Sequence, residues 1–177
     1  MNPTNINNTT NTTFPKWFAL YTKPQHEKFV ESALTEKNIE SFTPTVLLKK
    51  KWSDRVKLIE QPFFKGYCFA KFPIKDKILI VSQRGVVNIV NFRNKYISVQ
   101  DSVIDSLKIL VENKVKIDPY PFLKTGDRIR VKRGPLKNIE GYIIEKRSKS
   151  STSLAISIEA IVSSVRCVID AVDVESA

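Results

Sequence analysis

The stretch Gln61-Pro-Phe-Phe-Lys-Gly-Tyr-Cys-Phe-Ala70 decides the fold. From Tyr67 the pattern alternates, so in an extended chain Tyr67 and Phe69 point to one face of a sheet and Cys68 and Ala70 to the other. Gly66, just ahead of them, suits a bend or a close backbone approach where a side chain would be in the way. The small residues suit a face on which a helix packs. The aromatics make the opposite face either a second core or an exposed adhesive patch.

Working outward, Lys16–Thr22 also alternates as a strand, with Trp17, Ala19 and Tyr21 on one side and Phe18 and Leu20 on the other. Pro24 suits the first turn of a helix, and Glu27 in that turn suits the helix dipole. Phe29, Val30, Ala33 and Leu34 recur at helical spacing and are expected to cover a sheet face. Ser41–Leu48 and Val56–Glu60 read as two strands around the basic tip Lys49-Lys-Lys-Trp-Ser-Asp-Arg55. Lys75–Ser82 predicts a short helix and Val86–Phe92 a further strand. Ser98-Val-Gln-Asp101 resembles a capping box ahead of a helical stripe of Val103, Leu107, Leu110 and Val111. The order over residues 16–112 is therefore β-α-β-β-β-α, an α+β domain with an antiparallel sheet and helices on one face.

Asn113–Leu123 carries two prolines and no periodicity, so a linker is expected over 113–123. Beyond it, Arg128–Lys132, Gly141–Lys146, Leu154–Ala160 and Val165–Ile169 are short β-rich segments punctuated by Gly126, Gly134 and Gly141. They predict a small β-barrel over residues 124–177. Leu154–Val165 fits helical and strand periodicity alike, and its β-branched content favours strand. Residues 1–15 are expected to be a disordered tail, since ten of the first thirteen are Asn or Thr.

The formal charge of +11 favours an anionic partner, nucleic acid first. Residues 124–177 hold 10 basic and 7 acidic side chains, and the rest of the chain 19 and 11, so the weight lies on the first domain. Two distant cysteines, Cys68 and Cys167, form neither a metal motif nor a disulfide framework, which fits a reducing cytoplasm. The run Ile78-Leu-Ile-Val81 is far short of a membrane span, so no membrane is expected as a partner. A single histidine, His26, has no motif placing a carboxylate or cysteine beside it, and no phosphate-binding glycine loop occurs, so no enzyme is expected, and neither a metal nor a cofactor.

Several motifs, in order, resemble the NusG-type transcription factors, including specialised paralogues of the RfaH/UpxY type. They are Trp17-Phe-Ala-Leu-Tyr-Thr-Lys-Pro24 with Glu27, Phe42-Thr-Pro44, Pro62-Phe-Phe-Lys-Gly-Tyr-Cys-Phe69 and Arg84-Gly-Val-Val87. Gly126-Asp-Arg-Ile-Arg-Val131 and Gly134-Pro-Leu-Lys-Asn-Ile-Glu-Gly141 resemble a KOW motif. The resemblance implies an NGN-like first domain and an SH3-like KOW barrel. It implies docking of an apolar patch on the RNA polymerase clamp, and by position that patch is Tyr21, Phe64, Tyr67, Phe69 and Phe92. It also places the basic side near the non-template DNA strand or nascent RNA. Lys23, His26, Lys28 and Arg84 are the candidates there, with Lys49, Lys50, Lys51 and Arg55 as a second basic site.

Departures refine the expectation. Lys65 stands where the family usually has proline, which makes the turn before Gly66 less rigid. Ala160-Ile-Val-Ser-Ser164 replaces an aromatic-Gly-Arg segment that contacts Rho and a ribosomal protein in housekeeping members, so Rho is not an expected partner. The expectation is a monomeric, specialised antiterminator for long operons, such as those for surface polysaccharides, with the ribosome a further partner through the KOW domain. The alternatives are a housekeeping NusG and a ribosome-associated KOW protein that binds RNA.

Overall fold

The computed structural model describes residues 14–51, 55–121, 126–146, 151–170 and 173–176. The tail expectation for residues 1–13 and the Trp52–Asp54 tip lie outside them. The chain opens with β1 (Lys16–Thr22) and α1 (Glu27–Thr35), followed by the short β2 (Ser41–Phe42). Next come β3 (Thr45–Lys51), β4 (Val56–Pro62) and β5 (Tyr67–Phe72). After a 3-10 turn at Ile74–Asp76 follow α2 (Lys77–Val81), β6 (Val86–Ile89), β7 (Asn91–Phe92), β8 (Lys95–Tyr96), β9 (Ser98–Val99) and α3 (Asp101–Glu112).

β1 is the central strand. Along one edge β5 pairs with it antiparallel, in a register that sets Ala19 opposite Phe69, Leu20 opposite Cys68 and Tyr21 opposite Tyr67. β6 and β9 share its other edge end to end, and β2 extends the sheet beyond β5. One face carries Phe18, Leu20, Cys68 and Ala70, packed with Val30 and Leu34 of α1 and Ile80 of α2. The small residues thus accept a helix as their pattern predicts. The other face carries Trp17, Ala19 and Phe69, which cluster with Ile104, Leu107 and Leu110 of α3. The aromatic face is therefore largely a second core, and helices occupy both faces of the sheet instead of one.

Three local expectations are corrected. α1 begins at Glu27 with His26 as N-cap, because Gln25 has a φ of 62° that interrupts helical backbone after Pro24. Ser98 does not open a capping box: it lies in β9, and the N-cap of α3 is Gln100, which makes no side-chain cap bond. Asp101 instead accepts a bond from Lys71 Nζ at 2.8 Å, fastening α3 across the sheet. The span read as Ser41–Leu48 divides, β2 joining the main sheet while β3 and β4 form a separate two-stranded ribbon.

The rest of the chain forms a six-stranded antiparallel sheet of β10 (Asp118–Pro121), β11 (Arg128–Val131), β12 (Glu140–Lys146), β13 (Ser151–Ile158), β14 (Ser163–Asp170) and β15 (Val174–Ser176). The strand order is β10-β14-β13-β12-β11-β15. β10 falls within the predicted linker: its two prolines sit on an edge strand against β14, where a missing N–H is tolerated. The ambiguous Leu154–Val165 segment is strand, broken only by a 3-10 turn at Glu159–Ile161. Gly141 lies where the pleat of β13 comes close, and a Cβ there would stand 2.4 Å from the Ala155 carbonyl oxygen.

α3 joins the two sheets. Its apolar residues share one core with Ile129, Val131, Leu154, Ile156 and Val165. Ser106, fully buried on this helix, accepts the Glu140 N–H at 3.1 Å and donates to the Ser102 carbonyl at 2.7 Å. Both cysteines are buried and free, and burial pushes each thiol up to about 12, leaving it inert at neutral pH.

Candidate functional site

The turn Phe64-Lys-Gly-Tyr67 is closed by the Tyr67 N–H donating to the Phe64 carbonyl at 3.1 Å. Gly66 has a φ of 80°, the value that the third position of a type II turn demands. Lys65 occupies the second position, where proline would pre-set the backbone. Two bonds fix the turn to the rest of the molecule. The Gly66 carbonyl accepts the Thr22 N–H at 2.8 Å, and the Gly66 N–H donates to Glu27 Oε1 at 2.7 Å. Glu27, only 3% exposed, thus ties the first turn of α1 to the aromatic turn, a role invisible in its sequence context.

This arrangement presents Tyr21 and Tyr67 together, their ring centroids 5.7 Å apart. Tyr21 is 47% exposed and Tyr67 is half-buried, as is Phe63, whose ring stands edge-on to Phe64 at 5.0 Å. Phe64 and Phe69 do not join this surface. Phe64 is 5% exposed and Phe69 fully buried, because Phe69 points from β5 into the core over Ala19 and Phe64 sets its ring edge-on against it at 6.1 Å. Phe92 is exposed, at 61%, but lies on the separate β7–β8 ribbon. Its ring carries the guanidinium of Arg93 at 5.2 Å, and among the described residues it has no aromatic neighbour.

The basic candidates divide likewise. Lys23 and Arg84 are exposed and brought together by backbone: the Lys23 N–H donates to the Gly85 carbonyl at 2.8 Å. Gly85, with a φ of 94°, lies so close to α1 that a Cβ would stand 3.0 Å from Val30 Cγ2 and 3.2 Å from His26 Cδ2. The Nδ1 atom of His26 lies 3.0 Å from the Pro24 carbonyl oxygen. A carbonyl only accepts, so Nδ1 carries the hydrogen and Nε2 is left as the bare nitrogen of the neutral ring. Lys28 points to another role: it is paired with Glu31 at 3.1 Å and with Glu60 at 4.0 Å, and so is partly neutralised. Among the described residues, neither Lys23 nor Arg84 has a carboxylate within ion-pairing distance.

One residue near this group escapes its sequence pattern. Phe29, read as a core residue of α1, is 46% exposed. Val30 and Leu34, four apart, suffice to cover the sheet, and Phe29 is rotated about 100° away from Val30 around the helix. It stands edge-on to His26 at 6.0 Å and beneath Arg84 at 5.8 Å.

Lys49, Lys50 and Lys51 run along β3 of the ribbon, opposite Leu58, Lys57 and Val56 of β4, and Arg55 is exposed at the start of β4. The register places Lys50 directly across from Lys57. The side chains of Lys49–Lys51 and the stacking expectation for Trp52 lie outside the described residues. In the second sheet, Glu140 is gripped by Arg128 Nη2 at 2.8 Å and Arg130 Nε at 2.9 Å. Those guanidiniums, Arg130 foremost, hold its carboxyl below the ordinary carboxylate value. Both arginines are thus engaged in holding the fold. Among the described residues no cluster of His, Cys, Asp or Glu is arranged to hold a metal ion, and no helix is long and apolar enough to cross a membrane.

No curated protein matches the chain. Among solved structures, it is similar to the one described as "Domain interaction in Thermotoga maritima NusG". The two are 18% identical, with 92% of this chain and 97% of that chain covered and a TM-score of 0.46. It is similar also to the MjSpt4:Spt5 complex in conformation A, at 14% identity, with 91% and 97% covered and a TM-score of 0.30. Residues 15–108 match the family model described as "NusG: Transcription termination factor nusG". That match spans more than half of the chain, and the chain belongs to the NusG family of transcription factors.

Proposed function

We propose that this protein is a transcription elongation and antitermination factor. It docks the Tyr21–Tyr67 surface on the RNA polymerase clamp and lays the Lys23, His26 and Arg84 side against the non-template strand. The observation that carries this reading is the partly exposed tyrosine pair, held up by the Gly66 turn in a chain of the NusG family. Paired aromatics left half in water are what an interface presents, and tyrosine combines apolar area with a polar tip. The basic group steadies the strand chiefly through phosphates. A factor that binds better to the closed, elongating clamp than to the opened, paused one shifts the enzyme away from pausing without chemistry of its own.

The segment Ala160–Ser164 supports a specialised member over a housekeeping one, since it offers no aromatic ring where Rho-coupled relatives carry one. The family description as a termination factor favours a second reading, coupling to Rho, and retention of Rho by the immobilised full-length chain would support it. The test of the main reading is single-round transcription with purified polymerase on a template carrying a strong pause and a terminator from a long target operon. The wild-type chain shortens the pause and raises read-through, while the Tyr21→Ala/Tyr67→Ala variant does neither. Equal activity of that variant would remove the tyrosine surface from the mechanism.

A further inference from the structure

The structure assigns Phe29 a role that its helical spacing conceals: we propose that it is a stacking platform for one unpaired nucleobase of the bound strand. This rests on the reading that the Lys23–Arg84 side meets nucleic acid. An apolar ring this large is ordinarily buried, yet Phe29 is 46% exposed while its neighbours Val30 and Leu34 are fully enclosed. Its surroundings are those a base uses. The Arg84 guanidinium lies 5.8 Å from the ring centroid and the His26 ring meets it edge-on at 6.0 Å. The His26 Nδ1 bond to the Pro24 carbonyl leaves Nε2 to accept an N–H from a base edge.

Three features show that this grouping is built by the fold. Gly85 brings the Arg84 turn against α1, the Lys23–Gly85 backbone bond fixes their spacing, and His26 and Phe29 lie one helical turn apart on the same face. The charges nearby select the occupant. Lys23 and Arg84 are both cationic, the carboxylate of Glu27 is turned inward to Gly66, and that of Glu31 is taken by Lys28. An anionic chain with flat aromatic groups answers both halves of the site: phosphates for the cations, a base for the ring. Stacking on a ring face requires a base free of its partner, so the ligand is single-stranded or carries a flipped base, not an intact duplex.

The experiment uses the full-length chain and single-stranded DNA of roughly 12 nucleotides carrying one 2-aminopurine, whose fluorescence is quenched on stacking. Wild-type protein binds and quenches. Phe29→Ala weakens binding by about tenfold and abolishes the quench, yet leaves the salt dependence of binding unchanged, since no charge is removed. Phe29→Trp restores both affinity and quench, whereas Phe29→Leu, apolar but without a π face, restores neither. Lys23→Ala/Arg84→Ala weakens binding and flattens the salt dependence. If Phe29→Ala binds and quenches like wild type while Lys23→Ala/Arg84→Ala weakens binding, the stacking role is wrong and the phosphate-binding side stands. If neither variant changes binding, or the wild-type chain binds no strand at all, the nucleic-acid reading of this side fails and the stacking role with it.

Discussion

Replacing Glu27 with alanine tests whether one buried carboxylate holds the proposed polymerase surface in shape. Its Oε1 accepts the Gly66 N–H at 2.7 Å, and the side chain is 3% exposed, so water does not substitute for it freely. Removal leaves the Gly66 N–H without a partner on that side, which costs about 1–3 kcal/mol. For a chain of this length that lowers Tm by roughly 2–4 °C per kcal/mol. Glu27→Gln keeps an acceptor oxygen and loses only the charge, so it should fall within about 1 kcal/mol of wild type. The assay is urea unfolding of the three proteins in parallel, followed by their pause-shortening activity. The Gly66 turn supports Tyr21 and Tyr67 together, so Glu27→Ala should also blunt activity under conditions where it remains folded. An alanine variant within about 0.5 kcal/mol of wild type would refute the assignment of Glu27 as the tie between α1 and the aromatic turn.

Phe64→Ala should cost about 3–5 kcal/mol in urea unfolding, because a buried ring leaves a cavity, whereas exposed Tyr21→Ala should cost less than about 1 kcal/mol. Gly141→Ala should cost about 2–3 kcal/mol, since its Cβ would collide with the Ala155 carbonyl. Gly134→Ala, which meets only Asp173 Oδ2 at 3.8 Å, should lose no more than the roughly 1–2 kcal/mol of its positive φ. Glu140 is held below its ordinary value of 4.5 by Arg130 and Arg128. A lowered carboxyl stabilises the fold above its unfolded value and loses that contribution as pH falls through the folded one. Wild type should therefore exceed Glu140→Gln in stability at pH 7, with the two converging progressively below about pH 4.5 in pH-dependent unfolding.

The alternation at Tyr67–Ala70 carried β5, its face assignment and the helix over Cys68 and Ala70, because period and residue size are local properties. The two-part α+β architecture followed from the order of such segments. What covers Trp17 and Phe69 was not legible, since a period of two separates the faces of a strand but does not name the partner of either. That partner is α3, drawn over the sheet by Lys71–Asp101 and by Lys108, whose Nζ sits 5.0 Å from the Trp17 ring centroid. Ser98-Val-Gln-Asp101 misled because pairing of Ser98 and Val99 with β1 outweighs a local cap. In the candidate site, position along the chain named Tyr21 and Tyr67, whose rings lie together and partly exposed, but also Phe64, which the turn buries against Phe69. Glu27 and Gly66 are 39 positions apart, and nothing in either neighbourhood signals the bond between them.

On the proposed mechanism the Tyr21–Tyr67 pair, and not the buried Phe64 and Phe69, grips the polymerase. The most direct test is the equilibrium affinity of the full-length chain for purified RNA polymerase elongation complexes, wild type against Tyr21→Ala/Tyr67→Ala, with circular dichroism showing both folded. Truncating two interface tyrosines should weaken binding at least about tenfold, an effect of roughly 1.4 kcal/mol or more. Undiminished affinity in the folded double variant would contradict the claim.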